Sequence, residues 1–532
     1  MKGRVTFIRG ELYLQKGISV FASVLSAAIS GMDVCPVQVE ADVSDGLPCF
    51  IMVGFPSTQV KEAQDRVRTA LKNNGISLPP KKVTVNLAPA DLRKEGAGFD
   101  LPVAAAVLAA AGKLDPKLLK GVMVVGELSL NGEVRSVSGV LPRVIRAREL
   151  GCRYCIIPFG NLAEGVLVQG MKVIGVRHIK EVLAAVSDPE AFQKRTPLQE
   201  GCISEQEEFD SVVDFADICG QESARRAAEI AVSGFHNILF IGPPGTGKTM
   251  LAKRIPTIMP SLTFDESLEL TKIYSIAGLL SPKRPLIRTR PFRNPHHTSS
   301  STSLTGGGRI PHPGEVTLAH RGVLFLDEMP EFSRRSLEVL RQPLEDKQIQ
   351  LSRASGTYVF PAGFILVGAM NPCPCGFYPD MNKCRCTSGE VSHYLHRLSQ
   401  PLLERIDLCA DVPSVEFSQI SGKGEGEREN SAVIRERVEK VRKIQQTRYK
   451  KENICFNGEL SGRQLQKYCV LTKKAFQVAQ NAFELMELSA RSYHKILKVS
   501  RTIADMDGEE LIHTRHLAEA LTYKAFDKKY KS

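Results

Sequence analysis

No apolar run in this 532-residue chain reaches the ~20 residues that a bilayer-spanning helix requires. A membrane partner is therefore not expected. No internal repeat is found, which sets aside repeat arrays. The cysteines, thirteen in number, lack the pattern of a secreted disulfide framework. Cys35, Cys49, Cys219, Cys409 and Cys469 stand alone in apolar surroundings and read as buried, reduced thiols of a cytoplasmic protein. Acidic residues are missing from Leu270 to Gly314. That window carries Lys272, Lys283, Arg284, Arg288, Arg290, Arg293 and Arg309, with His296 and His297. One stretch, "KGISVFASVLSAAISG" after Lys2, Arg4 and Arg9, resembles a signal peptide. Glu11 interrupts the basic segment and a nucleotide motif follows, so that reading is set aside.

The length predicts about three units at ~100–200 residues each. A hydrophobic content of 43% lets each bury a core. The balance of 70 Lys and Arg against 58 Asp and Glu, net +12, fits an anionic partner, nucleic acid first and a membrane surface second. A solvated surface accounts for it equally well.

Residues 1–190 alternate strand-like runs ("PVQVEADV", "KKVTVNLA", "GVMVVGEL", "YCIIP") with helical patterns ("STQVKEAQDRVRTALKNNG", "DLPVAAAVLAAAG", "GVLPRVIRARELG"). Residues 191–214 are polar and acidic and read as a linker. Strands and helices alternate again over 215–412. From 413 the chain turns polar and then helical to the end, with "SAVIRERVEKVRKIQQTRY" the clearest helix. The class is α/β and multidomain.

Ile238–Ile241 reads as an apolar strand, followed by Gly242-Pro243-Pro244-Gly245-Thr246-Gly247-Lys248-Thr249 and a helix. This is a P-loop in its required context. Its glycines let backbone N–H groups wrap phosphates, Lys248 reaches the β- and γ-phosphates, and Thr249 holds Mg²⁺. Downstream, "GVLFLDEMPEF" is a strand ending in Asp327-Glu328, suited to orient Mg²⁺ (Asp327) and polarise a water (Glu328). Alone, such a pair is as often a helix start. The next strand, "FILVGAMN", ends at Asn371, which could place the attacking water or simply form a turn.

This ordered set resembles the AAA+ ATPases. The run "RPFRNPHHTSSSTSLTGGG", the cysteine-rich insert and "PLLERIDL" resemble the ComM/YifB family of magnesium-chelatase-like AAA+ proteins, over nearly the whole chain except about residues 1–18. The resemblance implies that Asn371 is sensor 1, Arg405 the arginine finger and Arg491 the sensor-2 arginine on a C-terminal helical lid. A finger acts from a neighbouring subunit, so a ring is implied, a hexamer first. A plainer reading pairs Arg405 with Glu404 or Asp407. "VVGELSLNGEVRSVSGVLPRVIRARELGCRYCIIP" and "LRKEGAGFDLPVAAAVLAA" resemble the Lon-type domain of the ribosomal-S5-like α+β fold. That resemblance puts the serine nucleophile near Gly98 and the lysine base at Leu141, so a non-proteolytic domain is expected.

Two segments are candidate DNA contacts: the basic window, and "QIQLSRASGTYVF", a hairpin with Ser-Gly at its turn and Arg353 near its tip. Packing between subunits is the alternative for both. His296 and His297 read as structural, not as metal ligands. Cys373-x-Cys375-x₈-Cys384-x-Cys386 suits a tetrathiolate Zn²⁺, with redox sensing or plain loop thiols as alternatives. The expectation is an oligomeric ATPase using ATP and Mg²⁺, a DNA helicase or branch-migration motor of homologous recombination. A chelatase-like remodeller of a protein partner is the alternative.

Overall fold

The computed structural model describes residues 21–195, 213–308, 311–353, 356–415 and 429–524. Residues 1–18, Arg309 and most of the 191–214 stretch lie outside the described residues; 191–195 end a helix, Pro189–Arg195. The chain divides into two compact units. One is Met1–Gln206 with Thr271–Ile287, the other Glu207–Leu270 with Arg288–Ser532.

The first unit is built on a mixed sheet. Its strands are β1 (Phe21–Ser30), β2 (Asp33–Ser44), β3 (Cys49–Val53), β4 (Lys82–Ala88) and β5 (Val122–Val124). A small ribbon of β6 (Glu127–Leu128) and β7 (Val134–Arg135) follows, then β8 (Tyr154–Pro158) and β9 (Val173–Val176). The seven-stranded order is β3-β4-β2-β1-β5-β8-β9. The second half of the signal-like stretch is thus an inner strand. β1 and β2 form a hairpin in which Ser30 faces Asp33, and Gly31 takes the left-handed φ of 66° that such a two-residue turn demands. Val37, Val39 and Ala41 alternate inward along β2 and are buried. Helix Asp100–Ala110 is apolar from Leu101 onward and fully buried, as a helix without a polar face must be, and its buried first residue Asp100 accepts from Arg66. The run expected as one helix from 57 is two, Thr58–Lys61 and Ala63–Asn73.

The second unit holds a parallel sheet of β10 (Ile238–Ile241), β11 (Phe292–Arg293), β14 (Val323–Leu326), β17 (Ile365–Met370) and β18 (Leu408–Asp411). Two ribbons accompany it, β12 (Gly306–Gly307) with β13 (His312–Pro313), and β15 (Gln348–Arg353) with β16 (Gly356–Pro361). The order is β11-β14-β17-β10-β18. β10, β14 and β17 have every residue buried, which is why they read as continuous apolar runs. Helices Ser431–Arg448, Lys473–Leu485, Ala490–Met506 and Thr514–Thr522 follow. Ile434, Val438, Ile496 and Val499 share one core cluster with Phe240 and Val367 of the sheet. In the β15–β16 hairpin Gly356 pairs with Arg353, so Gly356 belongs to the ladder; Ser355 of the expected Ser-Gly turn lies outside the described residues.

Candidate functional site

The candidate phosphate loop, Gly242–Thr249, runs from the end of β10 into helix Lys248–Ile258. Gly245 and Gly247 have φ of 78° and 88° with open space where a side chain would project, so backbone conformation demands glycine there. Gly242 is different. A Cβ on it would lie 2.1 Å from the Val412 carbonyl oxygen beyond β18. The loop therefore combines a tightly packed start with an open, N–H-rich mouth at a helix N-terminus, which suits an anion.

The Lys248 ammonium donates to the carbonyl oxygens of Gly242 (2.7 Å) and Pro243 (2.8 Å) and to Asn371 Oδ1 (3.1 Å). Burial lowers its pKa to about 8, although the charges of Asp327 and Glu328 oppose the shift. Thr249 Oγ1 donates to Asp327 Oδ2 at 2.7 Å. The structure thus brings Lys248, Thr249, Asp327 and Asn371 together as two bonded pairs, Lys248–Asn371 and Thr249–Asp327. Strand order is the cause: β17 lies between β10 and β14, so Asn371 emerges beside both the phosphate loop and the acidic pair.

Glu328 has φ 48°, and its exposed carboxylate lies 3.8 Å from His297 Nδ1, a neighbour that the sequence reading left in a structural role. Beside Glu328 and Asn371 opens a cavity of about 580 Å³, also lined by Pro374, Glu390, His393, Tyr394 and Arg397. Arg397 in turn donates to both carboxylate oxygens of Glu331 at 2.8 Å.

Arg405 and Arg491 have other partners. Arg405 pairs with Glu345 and donates to the carbonyl oxygens of Arg341 (3.1 Å) and Pro401 (2.6 Å). The plainer pairing with Glu404 or Asp407 is therefore corrected. Glu404 accepts from Arg491 at 3.0 Å, and Asp407 accepts from the Asn237 N–H at 3.3 Å. Nothing in the local sequence marks Glu345, sixty positions upstream of Arg405, as its partner.

The basic window is not uniformly exposed. The side chain of Arg290 is only 6% exposed, pairs with Glu266 at 3.5 Å and donates to the carbonyl oxygens of Pro260 and Arg321. Arg293 pairs with Glu315 through two bonds of 2.6 and 2.8 Å. Lys283, Arg288 and Arg353 are exposed.

In the first unit Gly98 sits in the turn Ala97–Phe99 and Leu141 is buried in helix Val140–Glu149. A Cβ on Gly98 would stand 3.7 Å from Arg143 Nη2. Arg143 is buried, donates to the carbonyl oxygens of Ala27 (3.0 Å) and Ser138 (2.7 Å), and is lowered to about 10 by loss of solvent. The sequence reading missed this residue, which looks like one more charge on a helix.

The sulfurs of Cys373, Cys375, Cys384 and Cys386 all lie within 4.8 Å of one another. Cys373 Sγ is 3.4 Å from Cys375 Sγ and 3.8 Å from Cys384 Sγ, and Cys375 Sγ is 3.6 Å from Cys384 Sγ. Four sulfurs at tetrahedral corners ~2.3 Å from a zinc ion stand ~3.8 Å apart, so the donor set fits Zn²⁺. The thiols shift in opposite directions: backbone N–H groups of Phe377 and Arg385 lower Cys375 to about 6, while desolvation and the neighbouring sulfurs push Cys384 and Cys386 up, so the sulfurs compete for ionisation in the absence of a cation.

Three family models match in series: "Subunit ChlI of Mg-chelatase" over residues 39–161, "Magnesium chelatase, subunit ChlI" over 214–420, and its C-terminal part over 428–524. Competence protein ComM of Haemophilus influenzae is 43% identical over 509 residues, 95% of this chain and 97% of its own length. The uncharacterised protein YifB of Salmonella typhimurium is 42% identical over 510 residues, with the same shares. The chain belongs to the ComM/YifB family. Membership in this magnesium-chelatase-like AAA+ family implies ATP as substrate and Mg²⁺ as cofactor, and the bonded pairs at Lys248 and Thr249 fit both. Lon protease 2 of Bacillus subtilis is 29% identical over 128 residues, 24% of this ComM/YifB-family chain and 22% of its own length. Among the described residues no helix is long and apolar enough to cross a membrane.

Proposed function

We propose that this chain is the subunit of a ring-forming ATPase motor that acts on DNA, as a helicase or branch-migration factor in homologous recombination or natural transformation. The observation that carries the reading is the bonded set Lys248–Asn371 and Thr249–Asp327, in a chain 43% identical to a competence protein. Gly242 to Thr249 bind the phosphates, and Lys248 exchanges its carbonyl partners for phosphate oxygens. Mg²⁺, held by Thr249 and Asp327, neutralises charge on the phosphates. Asn371 places the attacking water and Glu328 takes its proton as general base. Arg405 leaves Glu345 to reach the nucleotide of the next subunit in a hexamer, and Arg491 contributes from the lid.

The domain layout proposed is a ribosomal-S5/Lon-like domain over 1–190 without the protease dyad, a linker over 191–214, the AAA+ core over 215–412 and a helical lid over 413–532. Cys373, Cys375, Cys384 and Cys386 hold Zn²⁺. Exposed Arg288 and the hairpin tip at Arg353 meet DNA phosphates. The family models bear the name of a chelatase subunit, which keeps a remodeller of a protein partner as the second reading.

ATPase rates with duplex, single-stranded and branched DNA test the proposal. Stimulation by at least one DNA is expected, and mixing Arg405→Ala with Lys248→Ala subunits should restore turnover that neither has alone. Equal rates with and without every DNA, in intact oligomers, would turn the reading to the protein remodeller. Mixed rings without rescue would remove the in-trans role of Arg405.

A further inference from the structure

We propose that the four-cysteine centre fastens one wall of the ATP-hydrolysis pocket, so that a thiophilic divalent cation, Zn²⁺ first, sets the rate of turnover and not the affinity for nucleotide. The inference rests on the ATPase reading above and names what controls that site.

The centre begins two residues after Asn371, and Cys373 is fully buried. Its sulfur accepts from the N–H groups of Gly376 (3.2 Å) and Tyr378 (3.4 Å), bonds that favour a thiolate and aim it. Gly376, with φ 86°, lies against the phosphate loop: a Cβ there would come within 2.4 Å of Pro244 Cδ. At its other end the centre runs straight into helix Ser388–Leu395. Thr387 caps that helix in a reciprocal box with Glu390, one residue after Cys386. The helix supplies Glu390, His393 and Tyr394 to the cavity that Glu328 and Asn371 also line. One cross-link therefore joins the water-placing strand end, the phosphate loop and the far wall of the pocket.

The segment has little else to hold it. Phe377 and Met381 are exposed, at 39% and 78%, and among the described residues neither joins a buried apolar cluster. A metal bound by four sulfurs supplies that folding energy. Nucleotide affinity depends instead on Lys248, Thr249 and the loop backbone, which β10 and its helix anchor separately. Misplacing Asn371 or the wall by ~1 Å costs rate, up to ~10²-fold, while phosphate binding persists.

The test measures metal content, affinity for a fluorescent ATP analogue and kcat on the full chain, for wild type, Cys384→Ser and Gly376→Ala. Wild type should hold about one zinc per chain. Cys384→Ser should lose it, with kcat down about tenfold or more and affinity within about threefold. Gly376→Ala keeps all four ligands but pushes the loop off Pro244, so zinc should stay while kcat falls. If Cys384→Ser does not fold, Gly376→Ala and chelator removal with Zn²⁺ restoration on wild type decide. Loss of zinc with wild-type kcat overturns the proposal, as does Gly376→Ala with full zinc and full kcat. Wild type without zinc and insensitive to chelator removes the metal centre. Zinc-loaded wild type that binds but never hydrolyses ATP removes the ATPase reading, and this inference with it.

Discussion

Lys248 and Arg143 are both buried cations that donate to backbone carbonyl oxygens, and burial lowers both, Lys248 to about 8 and Arg143 to about 10. Their surroundings differ. Lys248 stands under glycines whose left-handed turns leave open space, next to Asn371 and the Thr249–Asp327 pair. Arg143 stands against Gly98, the place where the Lon resemblance expects a nucleophile. In the first case the carbonyl partners can be exchanged for a ligand. In the second the cation itself fills the space and has become part of the core. Likeness to a fold does not carry a chemistry with it; an open turn with poised polar groups leaves room for one.

The strongest way to break this comparison is to attack both sites. Glu328→Gln keeps the shape of the pocket and removes the proposed base, so ATP turnover should fall ~10²–10⁴-fold while nucleotide still binds. Turnover within about threefold of wild type would contradict the role of Glu328. In the first unit, Gly98→Ser with Leu141→Lys restores the Lon residue types, yet no peptidase activity on casein is expected, because Arg143 remains in place. Measurable cleavage would show that the pocket is not filled after all.

The same contrast divides the basic window. Arg290→Ala leaves the carbonyl oxygens of Pro260 and Arg321 without their donor and should lower unfolding stability by about 2–3 kcal/mol in urea titration. It should not change the salt dependence of DNA binding. Arg288→Ala and Arg353→Ala should each flatten the log–log salt slope by ~0.7–0.9 with stability unchanged. The reverse pattern would exchange their roles.

The smallest effect sharpens the account of Lys248. Burial lowers its pKa to about 8, and polyphosphate would raise it by favouring the charged form. Binding therefore takes up a proton above that pH. ATP affinity should fall as pH rises through about 8, at most tenfold per unit, and Lys248→Met should abolish the dependence. A wild-type affinity that stays level across that range would show that Lys248 remains charged before ATP binds.

The phosphate loop, the Asp327-Glu328 pair and the four cysteines were legible in the sequence, because each depends on residues close together in the chain. The fully buried strands β10, β14 and β17 were legible as well, since burial on both faces writes an unbroken apolar run. Long-range pairing was not legible. Only the strand order sets Asn371 between the phosphate loop and the acidic pair, 3.1 Å from a lysine 123 positions away. Only packing turns Arg290 inward, gives Arg405 to Glu345 and sets Arg143 against Gly98. A cation's sequence neighbourhood records its charge. Whether that charge meets water, a ligand or a carbonyl oxygen depends on segments that the chain brings together from afar.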